Sequence, residues 1–242
     1  MSFANIHNGV KSPSPNSNAS LQQRSIVAAF KALTGLLCRI DDRALAQVPD
    51  RGPLILVTNH VNILEVPIIY THLQPRPVNG MVLGVRWRNA MLRWLLNGTA
   101  SVPLYRGEPN FEGLRKGIEL LKQDRILIIS PEGTRSGHGR LQKAYPGFIP
   151  LALTSGAPLI PVAYSKGENW QNNLRHLRRT DFHIAVGKAF KLESNGERID
   201  GAVRQKMVDE VMYRIAALLP EQYRGIYSDL GAATQNYLSF EI

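Results

Sequence analysis

Arg125-Ile126-Leu127-Ile128-Ile129-Ser130-Pro131-Glu132-Gly133-Thr134-Arg135-Ser136 is an apolar run that ends abruptly in a polar turn. Consecutive aliphatic residues bounded by turn residues predict a strand buried on both faces, as in a parallel sheet covered by helices. The turn that follows has chemical content. Gly133 allows backbone N–H groups to approach an anion closely. Arg135 offers a planar fork for phosphate oxygens, and Glu132 is placed to orient that arginine or to hold a substrate hydroxyl. Taken alone, a solvated turn with a surface ion pair explains the same residues.

A second segment has the same construction. Leu54 to Val57 predicts another buried strand, and Asn59-His60-Val61-Asn62-Ile63-Leu64-Glu65 leaves it. In open α/β sheets ligands gather at the carboxyl ends of strands. Histidine is the side chain whose unperturbed pKa suits general-base work near neutrality, and a carboxylate across a turn fixes its tautomer. The plainer reading has Asn59 and His60 capping a helix while Glu65 complements its dipole. A third run, Ser101 to Tyr105, predicts a strand with Arg106 at its end, a second candidate phosphate ligand. A fourth, Gly156 to Val162, is an apolar strand carrying prolines, suited to an acyl-chain wall or to ordinary core.

Around these strands the pattern alternates. Helices are expected over Leu21 to Leu37, from just before Pro67 to His72, and over Asn89 to Leu96. Others run from an Asn110 cap to Leu121, over Phe148 to Thr154, and over Gly201 to Leu219. Further strands are expected over Met81 to Val85, Leu159 to Ala163 and Phe182 to Val186, with 165–181 polar and irregular. Strands alternating with helices predict an α/β class with a largely parallel sheet.

Composition narrows the function. The chain has 242 residues, with 44% hydrophobic and 20% charged, enough for one core and one domain. Cys38 is the only cysteine, so neither an internal disulfide nor a cysteine zinc cluster is expected. The formal charge of +10 favours anionic partners. No segment reaches the roughly 20 apolar residues of a membrane span, and residues 1–20 read as a disordered lead-in without a secretory signal.

The four blocks, in this order and spacing, resemble the glycerolipid acyltransferases, the family of 1-acylglycerol-3-phosphate acyltransferases. That family's blocks are N-H-x-x-x-x-D, a segment ending in Arg, E-G-T-R, and an apolar V/I-P-V/I strand. The resemblance spans roughly Pro53 to Lys188, and Leu219-Pro220 with Tyr223-Arg224-Gly225 is also similar to the group. It departs at Glu65, where the family has Asp; the extra methylene lengthens the side chain by about 1.5 Å. The resemblance implies a single α/β domain of the glycerol-3-phosphate acyltransferase-like type over 21–227. A mostly parallel central sheet would be flanked by helices, with an N-terminal amphipathic helix and a tail at 228–242.

It further implies transfer of a fatty acyl group from acyl-CoA or acyl carrier protein to the hydroxyl of 1-acyl-sn-glycerol-3-phosphate, forming phosphatidate. His60 is then the general base and Glu65 orients it. Arg106, Glu132, Gly133, Thr134, Arg135 and Lys143 bind the acceptor. No metal and no resident cofactor are implied. The second reading is a non-catalytic or altered-substrate relative that binds lipid or phosphate, with Glu65 in place of Asp.

The expected location is cytoplasmic, peripherally on the membrane. Candidates for that contact are the Ile26–Leu37 helix, the Arg86-Trp87-Arg88 to Leu96 stretch, and the basic run Arg175, His176, Arg178, Arg179, which also suits a carrier protein. Each also reads as ordinary structure: a core helix, a core helix with solvated arginines, and a solvated face. Nucleic acid is not an expected partner, since only the net charge would suggest it.

Overall fold

The structure is a computed structural model and describes residues 21–83, 86, 88–99, 101–104 and 111–241. The expected lead-in 1–20, the Asn110 cap, Trp87 and the candidate ligand Arg106 lie outside the described residues.

The strands β1 (Cys38–Asp41), β2 (Leu54–Thr58), β3 (Val78–Leu83), β4 (Val102–Leu104), β5 (Ile126–Ile129), β6 (Leu159–Ser165) and β7 (Thr180–Val186) form one sheet. Their order is β1-β7-β6-β2-β5-β3-β4. Every pairing is parallel except β6 with β7. β2, β5 and β6 are buried along their whole length, as their unbroken apolar runs require.

Successive side chains on those strands point to opposite faces, and two cores follow. Ile55, Val57, Leu127, Ile129 and Leu159 face one layer of helices: α4 (Phe111–Leu121), α5 (Ile149–Ser155) and α7 (Gly201–Ala216). Leu54, Leu56, Ile126, Ile128 and Ile160 face the other, filled by Ile68, Ile69 and Leu73 of the α2 (Glu65–His72) region and by Phe182 and Ile184 of β7. Two caps fall where local chemistry puts them. Asp200 accepts the Val203 N–H at 2.8 Å to start α7, and Gly156 ends α5 in the left-handed region.

The fold adds elements that sequence reading did not anticipate. β1 is one. Within 165–181, expected to be irregular, α6 (Trp170–Arg175) forms and Thr180 already belongs to β7. α1 (Leu21–Leu37) is not a core helix: only Ile26 and Thr34 are buried, and Leu21, Leu33 and Leu36 are exposed. α3 (Ala90–Gly98) lies beside it, with Trp94 more than half exposed. The proline-bearing fourth block is β6, an interior strand paired on both sides, and so belongs to the core. Past 227 the chain packs back. Glu210 of α7, 2% exposed, accepts the Asn236 and Tyr237 N–H groups at 2.8 and 3.0 Å. β8 (Lys191–Leu192) pairs with β9 (Leu238–Ser239). Among the described residues no helix is long and apolar enough to cross a membrane.

Candidate active site

Two loops leave neighbouring strands at the same end of the sheet, because β2 and β5 are parallel and adjacent. Thr58 and Ser130 close those strands, and their hydroxyls lie 3.0 Å apart. Asn59 then pins the first loop sideways. Its Nδ2 donates to the Tyr164 carbonyl at 2.9 Å, and its Oδ1 accepts the Tyr164 N–H at 2.8 Å. Its place is therefore a tie to β6 rather than a helix cap.

His60 follows, with its side chain 21% exposed. The loop turns back at once, and Glu65, the first residue of α2, is 1% exposed. Its Oε2 lies 3.2 Å from His60 Nδ1. Its Oε1 accepts the backbone N–H groups of Val61 and, at 2.6 Å, Asn62. The longer glutamate stem thus spans from the helix start to the imidazole while closing its own turn. With Nδ1 engaged, Nε2 has no partner among the described residues. A neutral imidazole held in this way keeps its proton on Nδ1 and leaves Nε2 able to accept one.

The second loop is stitched to the first through Glu132. This carboxylate is 1% exposed. Oε1 accepts the His60 N–H at 2.8 Å, and Oε2 accepts the Gln142 N–H at 3.0 Å. Each oxygen accepts one backbone N–H, so Glu132 braces the loop that carries His60. The Ser136 N–H donates to the His60 carbonyl and the Gly137 N–H to the Val61 carbonyl, both at 2.8 Å. Gly133 takes φ +63°, a conformation that suits glycine, and donates its N–H to the Ser130 carbonyl at 3.1 Å.

Thr134, Arg135 and Lys143 remain on the exposed side of this scaffold. Among the described residues neither Arg135 nor Lys143 makes a hydrogen bond or ion pair. Arg135 immediately precedes the residue whose N–H is bonded to the His60 carbonyl, so an uncommitted arginine belongs to the loop that carries this contact.

The loop past Lys143 is held from behind. Leu141 N–H donates to the Tyr223 carbonyl at 2.9 Å. Gly225, at φ +54°, approaches so closely that a Cβ would lie 2.0 Å from the Leu141 carbonyl oxygen. The Tyr223-Arg224-Gly225 ending therefore buttresses the site. Asn59, Gln142 and the Ser136–Gly137 amides were missed as site-forming groups. Three of them act through backbone N–H, which carries no residue-type signal.

Burial pushes the Glu132 carboxyl up from 4.5 to about 7, against the pull of its two N–H donors, and nearby Glu65 adds to the rise. The folded state therefore holds this proton more tightly than the unfolded chain. The stability it contributes is complete below about pH 4.5 and is lost as the pH rises through about 7. Glu132→Gln cannot titrate, and it sets an amide N–H₂ against one backbone N–H. It is expected to cost about 1–3 kcal/mol, with a deficit that narrows between those two pH values. Urea unfolding across that range checks this; a deficit that widens with pH would mean the N–H bonds outweigh burial.

Residues 39–165 match the protein family described as Acyltransferase. The chain is 24% identical over 191 residues to the 1-acyl-sn-glycerol-3-phosphate acyltransferase of Pseudomonas aeruginosa, covering 77% of this chain and 72% of that one. It is 26% identical over 157 residues to the human 1-acyl-sn-glycerol-3-phosphate acyltransferase beta, covering 60% of this chain and 52% of that protein. The crystal structure of the 1-acyl-sn-glycerophosphate acyltransferase of Thermotoga maritima superposes with a TM-score of 0.55 at 19% identity, over 81% of this chain and 79% of that one. That superposition establishes the fold.

Proposed function

The chain belongs to the acyltransferase family, and from that premise we propose that it acylates the free hydroxyl of 1-acyl-sn-glycerol-3-phosphate to give phosphatidate. The donor is an acyl thioester carried by coenzyme A or acyl carrier protein. The observation that carries this reading is the His60–Glu65 contact at 3.2 Å, on a loop bonded through Ser136 to the loop that carries the uncommitted Arg135.

His60 Nε2 takes the proton of the acceptor hydroxyl as its oxygen attacks the thioester carbonyl. The C–O bond forms, the C–S bond breaks, and the imidazolium returns its proton to the departing thiolate. Glu65 fixes the tautomer and stabilises the imidazolium between the two transfers. Arg135 and Lys143 hold the acceptor phosphate, and Gly133 and Thr134 shape the turn that presents them. The named relatives from Pseudomonas aeruginosa and human support this acceptor. The acceptor is a bilayer lipid, so the protein works at a membrane surface. That Glu65 reaches His60 favours an active enzyme over a lipid-binding relative without turnover.

The test is phosphatidate formation by purified protein from lysophosphatidate and a panel of acyl thioesters. Arg135→Ala is expected to raise the KM for lysophosphatidate about 10- to 100-fold, the worth of a charge-assisted hydrogen bond, with a smaller effect on kcat. An unchanged KM would remove Arg135 from phosphate binding. No product with any donor would sink the assignment.

A further inference from the structure

Leu177 stands where the fold has no use for a leucine. α6 ends in a paired closure: the Leu177 N–H donates to the Leu174 carbonyl at 3.1 Å, and the Arg178 N–H to the Asn173 carbonyl at 2.8 Å. That pattern places Leu177 at the left-handed position glycine usually fills, and its φ is +51°. A Cβ is disfavoured there. The side chain is 93% exposed, so packing does not offset the strain. The strained backbone holds a leucine out into solvent.

The surroundings indicate what receives it. Leu174 is also exposed, as are Arg175, His176 and Arg178. Thr180 pairs with Cys38 in the parallel β1–β7 ladder, so this tip emerges beside the C-terminal end of α1. Arg179 binds the two together, donating to the Gly35 carbonyl at 2.7 Å and to the Cys38 carbonyl. There α1 exposes Leu33 and Leu36. Neither Leu21–Ile40 nor Trp170–Thr180 contains an Asp or Glu. Because β7 runs antiparallel to β6, β1 and β7 begin at the end of the sheet where β2, β5 and β6 finish. Exposed leucines set among cations therefore lie on the catalytic end of the molecule.

We propose that the Leu174–Arg179 turn is a membrane-insertion tip that acts with the C-terminal half of α1 to seat the catalytic mouth on an anionic bilayer. The leucines enter the acyl boundary and the arginines meet lipid phosphates. The proposal rests on the reading that the acceptor is a bilayer lipid.

Flotation with vesicles of equal parts phosphatidylglycerol and phosphatidylcholine tests it. Leu177→Gly is expected to weaken binding about tenfold or more, the worth of one buried leucine, while Tm stays level or rises because glycine relieves the left-handed backbone. Arg175→Gln and Arg178→Gln are each expected to weaken binding about fivefold at low salt, with the difference shrinking in high salt. Leu177→Trp is expected to give a blue-shifted emission on these vesicles. Equal binding by parent and Leu177→Gly, or an unshifted Leu177→Trp, overturns the tip. So does weaker turnover of a carrier-protein donor with vesicle binding unchanged, which would assign the patch to that partner. Acylation of a short-chain, water-soluble lysophosphatidate is read alongside and is expected to be equal in parent and Leu177→Gly. If the parent lacks that activity, the acyltransfer reading fails whatever the vesicles show.

Discussion

His60→Ala is expected to lower kcat for phosphatidate formation about 10³-fold, within the range a positioned general base contributes, while the protein stays folded. The two expectations separate because the residue's structural and chemical contacts use different atoms. The scaffold holds His60 by its backbone: its N–H donates to Glu132, and its carbonyl accepts from Ser136. Alanine keeps both. The ring contributes one contact at 3.2 Å with Glu65 and is partly exposed, so its removal opens no large cavity. Glu65 still closes its turn through Val61 and Asn62. The measurement is kcat and KM for both substrates, alongside thermal unfolding. A large loss in kcat with KM and Tm near the parent's identifies the base. Activity within a few-fold of the parent's would remove His60 from the mechanism.

The fold and the site differ in how much of each is written in local sequence. β2, β5 and β6 were legible because burial on both faces demands unbroken aliphatic runs, and Leu54–Val57, Ile126–Ile129 and Leu159–Ala163 supply them. β1 was not. Cys-Arg-Ile-Asp alternates apolar and polar residues over only four positions directly after a helix, too short a run to read alone, and it becomes a strand by pairing with β7, which lies far along the chain. α1 was legible as a helix, but which face is covered depends on its neighbours, and the structure leaves Leu33 and Leu36 uncovered. That Glu65 folds back onto His60 could be read from residue type and spacing. The role of Glu132 could not, because the partners that occupy its carboxylate are backbone amides of His60 and Gln142. An acid beside an Arg on a Gly turn reads as a ligand until its depth is known. Gly225 was marked only by its resemblance to the family; the physical reason for it is the Leu141 carbonyl pressed against it.

Glu65→Gln is expected to cost nearly as much as removal of the base itself: about 10³-fold in kcat, because an amide in place of the orienting carboxylate leaves the ring in the wrong tautomer, as in a Ser-His-Asp triad. The reason is donor and acceptor matching. Glutamine has the same length, so its amide oxygen takes over the Val61 and Asn62 N–H bonds that Glu65 Oε1 now accepts. Its N–H₂ group then faces His60 Nδ1. A ring nitrogen facing a donor must be an acceptor, which moves the ring proton to Nε2, and a protonated Nε2 cannot serve as the base. Glu65→Asp tests the same contact through distance. α2 begins at residue 65, so shortening the side chain withdraws the carboxylate about 1.5 Å along its stem. It can then reach the imidazole or the two amides, but not both in their present geometry. The expected loss is about 10²-fold, and aspartate should retain more activity than glutamine despite the poorer fit. That ranking distinguishes orientation of His60 from a purely structural role. If Glu65 only closed the turn, glutamine, which keeps that closure, would be the milder change. Steady-state kinetics of the two variants decide between these outcomes, and near-parent activity in Glu65→Gln would detach the carboxylate from catalysis.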